Sequence, residues 1–363
     1  MKHHQYPTLL LTLSTFALIV VAAFLFSSAN SVSSQTPNKN SNANSGRPSR
    51  KAIQLPTPTP ESGEDVVKID ADLVKIDALV MQKNTARIVG DLKVEDFLLY
   101  EDGTKQEITH FSKDSLPLSV MLLIDRGGCL DPYSDDVHRA AREAIDRLKL
   151  VDEIAVMAYH TKSDLILPFT TSRILIEDAL TRIPPQTEMG GHCLNALFSY
   201  AANYMMRASN PAGRRVIIVI SGLTRSFDCP DSPTGKSAAL SIYESGSVVC
   251  GIIPKGAKQA FENGQMTMLT RVFKVGGVDY MDIQSLANET GGEVLSDEPK
   301  KLETTFQTLI DHLRSRYNLA FVSTNKKRDG ATRKLRLDLT PTIQRSKGKL
   351  VVKARRSYIA PRK

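Results

Sequence analysis

The sequence predicts an α/β fold: a doubly wound, mainly parallel sheet flanked by a small antiparallel β-sandwich formed from N-terminal and C-terminal segments. Between residues 116 and 315, short apolar runs alternate with amphipathic helical segments, which favours parallel strands joined by helical crossovers. Residues 65–115 and 316–363 instead consist of short strands separated by turn residues. Because neither end segment is long enough for a core of its own, we expect the two to pair with each other.

The central domain, residues 116–315, opens with the apolar strand SVMLLID, which ends at Asp125. The segment SDDVHRAAREAIDRLKL then predicts an amphipathic helix with Ser134 or Asp135 as its N-cap. The other predicted strands are EIAVMAY, DLILPF, RRVIIVIS, SVVCGIIP and GEVLSD. The other predicted helices are RILIEDALTRI, LNALFSYAANYMMRA, the segment around AALSIYESG, MDIQSLANETG and KKLETTFQTLIDHLRSRY. Ligands of such sheets bind at the carboxyl ends of the strands, where Asp125 and Gly222 are expected to lie.

The two β-rich segments have a different pattern. The N-terminal one contains the alternating run DVVKIDADLVKIDALVMQ and the hairpin FLLYEDGTKQEITHFS, which turns at Glu-Asp-Gly-Thr. The C-terminal one contributes three more predicted strands, YNLAFVST, RKLRLDLTP and KLVVKARRSYI. We expect these strands to form the sandwich.

The first 64 residues predict export. Residues 1–29 have a basic start, an apolar run at 9–26 and small residues at which cleavage after Ala29 is expected. The apolar run is also long enough for an uncleaved anchor, so a signal peptide and a membrane tether are both open. Residues 30–64, rich in Ser, Asn, Pro and Thr, predict a disordered linker. We therefore expect an extracytoplasmic protein, either secreted or located in the periplasm or cell envelope.

The charge of the chain gives little support to nucleic-acid binding. The formal net charge is +8 over 363 residues, and the basic residues concentrate in TNKKRDGATRK and KARRSYIAPRK. No nucleic-acid motif and no pattern of stacking aromatic residues accompanies them. A solvated basic surface is the favoured interpretation, and no nucleic-acid partner is expected.

Four stretches after the linker carry a resemblance to a known family. They are LKVEDFLLYEDGTKQEITHFS, LPLSVMLLID, LANETGGEVL and LRSRYNLAFVSTNKKRDGATRKLRL, in that order. With them the chain resembles exported bacterial proteins of the von Willebrand factor A-related type, which are common in Acidobacteria and their relatives. The resemblance implies a Rossmann-like von Willebrand factor A domain over residues 116–315 and a role in adhesion or protein interaction.

Proteins of the A-domain family normally bind a metal at an adhesion site with ligands on three loops. The first loop reads Asp-x-Ser-x-Ser, the second supplies Thr and the third Asp, which are the oxygen ligands that Mg²⁺ prefers. Asp125 matches the first Asp, but the other four positions hold Gly127, Cys129, His192 and Gly222. Thr224, Asp228 and Asp131 supply oxygen nearby at spacings that do not match. We expect a degenerate site with no metal and no cofactor.

Cysteines occupy all three of these loops. Cys129 lies in the first loop, Cys193 in the second and Cys229 in the third, while Cys250 lies in a strand and is expected to be buried. An even number of cysteines in an exported protein favours a disulfide. We expect Cys129 to pair with Cys193 or with Cys229, and the sequence does not choose between them.

Two other interpretations of these residues are open. One is a zinc site made from Cys129, His192 and Cys229, with or without Asp125. The other is a thiol enzyme or redox protein in which Cys129 or Cys193 is the nucleophile, His192 the base and Asp125 the residue that orients it.

The favoured hypothesis is an exported, non-enzymatic interaction module that binds a protein or cell-surface ligand without the usual metal. Gly127 and Gly128 would let a partner's backbone approach, and Arg126 would receive a carboxylate. A flexible turn with a solvated arginine is the simpler alternative. The candidate partner-binding face comprises Asp125, Arg126, Gly127, Gly128, His192, Thr224 and Arg225. The rival functions are metal-dependent adhesion through a rebuilt site and thiol chemistry.

Overall fold

A computed structural model describes most of the chain beyond the predicted linker. The described residues are 73–128, 130–160, 162–183, 192–210, 213–257 and 280–362. The predicted export signal and the linker at residues 30–64 lie outside them, as does Cys129.

The described residues form sixteen strands and seven α-helices. The strands are β1 (Leu73–Gln82), β2 (Phe97–Glu101), β3 (Thr104–Gln106), β4 (His110–Ser112), β5 (Leu118–Asp125), β6 (Glu153–Tyr159), β7 (Ser163–Thr170), β8 (Arg214–Ile220), β9 (Arg225–Phe227), β10 (Val248–Pro254), β11 (Tyr280–Asp282), β12 (Val294–Asp297), β13 (Tyr317–Val322), β14 (Thr332–Leu339), β15 (Leu350–Lys353) and β16 (Ser357–Ile359). The helices, numbered here in chain order, are α1 (Ser134–Asp146), α2 (Arg173–Thr181), α3 (Leu194–Met205), α4 (Gly235–Ser245), α5 (Ile283–Thr290), α6 (Leu302–Arg314) and α7 (Pro341–Lys347).

The central sheet has six strands in the order β12-β10-β8-β5-β6-β7. All neighbours pair in parallel except β6 and β7, which form an antiparallel edge. Strand β5 is buried along its whole length because helices cover both faces of the sheet. Val120 and Leu122 pack in the core with α1, α2 and α6, whereas Met121 and Leu123 pack in the core with α3 and α4. The prediction of a doubly wound, mainly parallel sheet is confirmed.

The order of the strands places Asp125 at the point where the connections change direction. The chain leaves β5 for β6 on one side, while β8 pairs with β5 on the other. Crevices at the carboxyl ends of parallel strands form at such switch points. Asp125 is the last residue of β5, so its side chain lies at this crevice.

The end segments form two four-stranded antiparallel sheets, β15-β1-β13-β4 and β16-β14-β2-β3. Strands from both ends of the chain lie in each sheet, and one apolar core unites residues of both, including Ile76, Leu99, Phe321 and Tyr358. The hairpin between β2 and β3 turns at Asp102 and Gly103, which have φ of 46° and 84°. The predicted antiparallel structure flanking the central sheet is therefore confirmed.

Three local predictions need correction. KLVVKARRSYI forms two strands, β15 and β16, which belong to different sheets of the sandwich. Between them, Arg356 N donates to the Glu289 carbonyl of α5 at 2.8 Å, and the Arg356 carbonyl accepts from Leu335 N of β14 at 2.7 Å. PTIQRSK forms the short helix α7, with a proline in its first turn, and it was not predicted. The N-cap of α1 is Tyr133, with no side-chain cap, while Asp135 and Asp136 lie in the first turn, where acidic residues favour the helix dipole.

The sandwich contacts the amino end of the central sheet. Arg214, the first residue of β8, donates to Asp77 of β1 at 2.9 Å and to Asn318 of β13 at 2.7 Å. The side chain of Arg214 is 1% exposed, so its charge depends on these partners. This contact between the sandwich and the central sheet lies at the opposite end of the sheet from Asp125.

Within the described part of the chain, no helix is both long and apolar enough to cross a bilayer. The apolar run at residues 9–26 belongs to the part that is not described.

Candidate functional site

Asp125 is fully buried, and hydrogen-bonding groups of the protein surround its carboxylate. Its side chain is 0% exposed. Oδ1 accepts a hydrogen bond from the backbone N–H of Gly127 at 2.8 Å, and Oδ2 accepts one from the hydroxyl of Ser221 at 2.7 Å. Nδ1 of His192 lies 3.0 Å from Oδ1, within hydrogen-bond distance. Three loops therefore meet at one carboxylate.

His192 fills the space in front of the first loop. A Cβ atom added to Gly127 would lie 2.1 Å from Cε1 of His192 and 2.6 Å from each ring nitrogen. The side chain of His192 is only 6% exposed. The imidazole therefore closes the crevice over Asp125 and Gly127.

These residues do not fit the metal that the A-domain family implies. Mg²⁺ needs several oxygen ligands arranged octahedrally, and the side chain that faces Asp125 across the crevice is an imidazole. Both carboxylate oxygens of Asp125 already accept hydrogen bonds from the protein. Among the described residues, no group of three or more His, Cys, Asp or Glu side chains could hold a metal ion. Of the substitute ligands, Asp228 accepts a hydrogen bond from Gly235 N at 2.6 Å through Oδ2, while its buried Oδ1 has no hydrogen-bond partner among the described residues.

A disulfide joins the second and third loops, with a different pairing from the one predicted. It links Cys193, the residue before α3, to Cys229, which follows β9, with the two Cα atoms 5.5 Å apart. The prediction that Cys129 pairs with one of them is wrong, because each of those sulfurs already has its partner. A sequence gives the loops on which cysteines lie, but the choice of partner depends on Cα distances that only the folded loops define.

Hydrogen bonds reinforce this link. The buried side-chain amide of Asn195 accepts from Cys229 N at 3.1 Å and donates to the Pro233 carbonyl at 2.9 Å. Ser226 Oγ accepts from Leu194 N at 3.3 Å, which satisfies a free N–H in the first turn of α3. The second and third loops thus form one unit under the crevice.

The disulfide also excludes Cys193 as the nucleophile of the thiol interpretation and Cys229 as a ligand of the zinc interpretation. Cys193 cannot be a thiolate nucleophile while it is bonded to Cys229, and Cys229 cannot be a thiolate ligand. Cys250 is buried in β10 as predicted, and burial raises the pKa of its thiol to about 11. A thiol with so high a pKa remains protonated at neutral pH and is a poor nucleophile.

The structure divides the predicted partner-binding face into buried and exposed residues. Asp125 and Gly127 are buried and cannot contact a partner directly, which corrects their inclusion in the face, while His192 is half-buried with a side chain that is 6% exposed. Arg126 is not a solvated arginine: its side chain is 13% exposed, and its Nη2 pairs with Asp164 at 3.1 Å.

The exposed part of the predicted face lies on the first and third loops. Arg225 is 52% exposed and pairs with Asp282 at 2.9 Å. Thr224 and Gly128 are half-buried, and Gly128 has a φ of 87°, which a residue with a side chain would rarely adopt.

Sequence reasoning missed Ser221 and Asn195. Ser221 also accepts a hydrogen bond from Leu223 N at 3.0 Å, so it holds the third loop while it binds Asp125. Its position directly after an apolar strand and before Gly222 was the available signal. Asn195 lies inside a helical segment, and nothing in its local pattern distinguishes it from a surface residue.

Comparison with known proteins supports the fold. Residues 120–224 match the model of the von Willebrand factor type A domain. No curated protein matches the sequence significantly.

Three solved structures are similar to part of the chain. An aerotolerance-related membrane protein from Bacteroides fragilis is 18% identical, with a TM-score of 0.39 and coverage of 54% of this chain and 98% of that one. BatB from Bacteroides thetaiotaomicron is 15% identical, with a TM-score of 0.38 and coverage of 55% and 100%. Proximal thread matrix protein 1 from the mussel byssus, solved with a zinc-occupied metal-ion-dependent adhesion site, is 12% identical, with a TM-score of 0.40. That alignment covers 55% of this chain and 48% of the mussel protein, so the match spans about half of its length.

Proposed function

This chain is a von Willebrand factor type A-like domain protein, and from that premise we propose that it is an exported, non-enzymatic interaction module that works without a metal. It binds a protein or cell-surface partner at the carboxyl-end face of the central sheet. Domains of this type are interaction modules, and the finer features of the proposal rest on the residues around Asp125.

The observation that carries the proposal is the contact between Asp125 and His192. In a metal-dependent site, the cation joins the loops and also receives an acidic group of the partner. Here the imidazole joins the first and second loops by a 3.0 Å hydrogen bond, and Ser221 joins the third loop. The loops are held by protein groups, so no cation is needed to position them.

The same contact changes how a partner would bind. Because the Asp125 side chain is 0% exposed, neither a metal nor a carboxylate of the partner can reach it without displacing His192. A partner therefore contacts the residues at the rim of the crevice, where Arg225 is exposed and Thr224 and Gly128 are half-exposed. A rim of this kind supplies backbone, hydroxyl and cationic contacts, which suit a polar protein surface.

Two further features support the proposal. The Cys193–Cys229 disulfide fits an oxidising compartment, as expected for an exported chain. The same bond leaves Cys193 without a free thiol, so the enzymatic alternative would have to use Cys129 as its nucleophile, and His192 Nδ1 already lies 3.0 Å from a buried carboxylate.

A thermal-melt titration with Mg²⁺, Mn²⁺ and Zn²⁺ tests the proposal that the protein binds no metal. A metal that binds the folded chain raises the Tm by mass action, by an amount that grows with concentration. We expect no shift for the wild type and a shift with Mg²⁺ or Mn²⁺ for the variant Gly127→Ser/Cys129→Ser/His192→Thr/Gly222→Asp, in which the family's ligands are restored.

Asp125→Ala is the matched control for both proteins. If Mg²⁺ or Mn²⁺ stabilises the wild type and Asp125→Ala abolishes the effect, the protein is a metal-dependent adhesion protein with a rebuilt site. If only Zn²⁺ stabilises it, and only while His192 is present, the histidine is a metal ligand and the proposal fails.

The partner face is tested separately by binding. Arg225→Glu should weaken capture of cell-surface material by the purified chain, whereas Arg336→Glu, an exposed arginine of the sandwich, should not. Equal binding by both variants and the wild type would place the partner surface elsewhere.

A further inference from the structure

We propose that a basic cleft beside the β-sandwich is a second binding site, which takes an acidic oligosaccharide, a chain of sugars that carry carboxylate or phosphate groups. The cleft lies where α4 ends and β10 begins, at the amino end of the sheet. It is therefore remote from Asp125 and independent of the function proposed above.

The cleft has a volume of about 550 Å³ and is built by four parts of the chain. The start of β1 supplies Leu73 and Lys75, and the end of α4 supplies Tyr243 and Glu244. The loop after β13 contributes residues 325–328, and the C-terminal segment contributes Arg355 and residues 358–362. A cavity of this size holds a small organic ligand rather than a single ion.

The charges that line the cleft are almost all positive. Five cationic side chains contribute, against the single carboxylate of Glu244: Lys75, Lys326, Lys327, Arg355 and Arg362. In the described ranges, no ion pair joins any of these five to an acidic side chain. Arg328 also lines the cleft, but it interacts with another group and the proposal does not use it. Like charges that converge without partners raise the local potential and attract an anion.

The nearest acidic residue of the basic loop is already engaged. Asp329 binds Arg333 at 2.9 Å and accepts from Ala331 N at 3.0 Å, so it does not neutralise the lysines beside it. Half-buried Arg355 donates to the Tyr243 carbonyl at 3.4 Å, and desolvation lowers the pKa of its guanidinium. An anion in the cleft would offset that desolvation.

Hydrogen bonds hold the walls of the cleft in place. Ser323 Oγ donates to the buried carboxylate of Glu101 at 2.6 Å, and the hydroxyl of Tyr358 donates to the same carboxylate. Asn325 N donates to Ser323 Oγ at 3.0 Å, which fixes the start of the basic loop. Arg362 lies over Gly330, where an added Cβ would be 2.6 Å from its Nε. Walls fixed in this way lower the ordering cost of binding.

The rest of the lining favours a sugar chain over a bare anion. Apolar surface from Leu73, Tyr243, Ile359 and Pro361 lies among the cations, and this mixture suits the alternating apolar faces and charged groups of an acidic sugar. A second cavity of about 570 Å³ shares four lining residues with the first, so a groove continues past it: Leu73, Lys75, Gly246 and Arg355. Two adjoining cavities of this volume offer room for more than one sugar unit.

The test measures binding of defined probes to the full-length chain by fluorescence anisotropy. The probes are a hexasaccharide of uronic acids, a sugar-phosphate oligomer of equal length, a neutral hexasaccharide, inorganic phosphate as competitor and a single-stranded oligonucleotide. We expect one or both acidic oligosaccharides to bind, with affinity that falls as salt rises. If only one binds, it identifies carboxylate or phosphate as the recognised group, and if both bind, the site recognises either anionic group on a sugar chain.

Charge-reversal variants locate the site. Lys326→Glu/Lys327→Glu should weaken binding of the acidic probe by about tenfold or more, since each 1.4 kcal/mol corresponds to a factor of ten. The matched control is Lys300→Glu/Lys301→Glu, another exposed pair of adjacent lysines outside the cleft, and it should change affinity less than about threefold. Lys75→Gln, on a different strand, should also weaken binding.

Several outcomes would overturn the proposal. They are failure of both acidic oligosaccharides to bind, equal loss in the two lysine-pair variants, full competition by inorganic phosphate at equal charge concentration, and tighter binding of the oligonucleotide. None of these depends on a metal or on Asp125, so failure here is distinct from failure of the proposed function.

Discussion

The imidazole of His192 occupies the position that any side chain at Gly127 would need: a Cβ there would lie 2.1 Å from Cε1 of the ring. Ring nitrogen Nδ1 of His192 also lies 3.0 Å from Asp125 Oδ1. The serine that the A-domain family has at position 127 is therefore incompatible with a histidine at position 192 in this packing. Glycine at position 127 therefore makes room for the imidazole.

This relationship predicts strong coupling between the two positions. Gly127→Ala should lower the free energy of unfolding by about 2 kcal/mol, because the added methyl group overlaps a buried ring. In a His192→Ala background the same substitution should cost little, since the ring is gone. Urea unfolding of the four proteins gives the coupling energy directly.

Gly90→Ala is the matched control, because an added Cβ at Gly90 meets nothing within 4 Å. It should leave the free energy of unfolding nearly unchanged in both backgrounds. If the effects of Gly127→Ala and His192→Ala add within about 0.5 kcal/mol, the two residues do not compete for space and the contact is wrongly placed.

The Cys193–Cys229 bond makes a second prediction. The two cysteines are 36 residues apart, and a loop of that size gives a loss of about 4 kcal/mol of unfolding free energy when the bond is removed. We expect this loss in Cys193→Ala/Cys229→Ala and in the wild type after reduction, measured by urea unfolding.

Peptide mapping of the oxidised chain checks the connectivity. The crosslinked peptide should contain Cys193 and Cys229, and Cys129→Ser should leave that crosslink and the stability difference intact. A crosslink that includes Cys129 would show that the originally predicted pairing is the correct one.

The layers of the fold could be predicted from the sequence because its apolar patterns are strong. Within SVMLLID the run VMLLI is apolar throughout, as a strand covered on both faces must be, and the polar Asp125 marks its end. The break within KLVVKARRSYI could not be predicted in this way. At the break, Arg356 N donates to the Glu289 carbonyl and the Arg356 carbonyl accepts from Leu335 N, which are contacts between segments far apart in the sequence.

The candidate site was predictable in its position but not in its contacts. Asp125, His192 and the cysteine loops were placed by comparison with the family's ligand pattern. The burial of His192 over Gly127 and the hydrogen bond from Ser221 to Asp125 depend on how three loops fold against one another. No local periodicity encodes either contact, so the sequence indicated exposed recognition residues where the structure has a closed network.

Cys250 gives a third prediction. Burial raises the pKa of its thiol to about 11, although the nearby charge of Arg316 opposes the increase. The native protein should therefore leave Cys250 unmodified by iodoacetamide at pH 8, and the unfolded protein should be modified quickly at the same site. Mass spectrometry of the peptide that contains Cys250 distinguishes it from the other cysteines. Rapid modification in the native state would mean that β10 opens locally.

Glu293 gives a fourth prediction, which concerns acid stability. Burial of Glu293 alone would raise the pKa of its carboxyl group, but His312 at 2.7 Å and Lys353 at 3.1 Å outweigh burial and lower the pKa. A lowered pKa in the folded state means that the ionised carboxylate stabilises the protein above its ordinary pKa of 4.5, and that this stabilisation is lost as the pH falls further.

Glu293→Gln should therefore lower the free energy of unfolding at pH 7 by about 2 kcal/mol, the value of a hydrogen bond to a charged group. The difference from the wild type should shrink as the pH falls below 4.5, because the wild-type carboxylate then becomes protonated too. Glu298→Gln, at a carboxylate that is 59% exposed, should change little at either pH. A difference between Glu293→Gln and the wild type that stays constant from pH 7 to pH 3 would mean that the carboxylate stabilises the fold by packing rather than by its charge, since only a charged interaction is titrated away in acid.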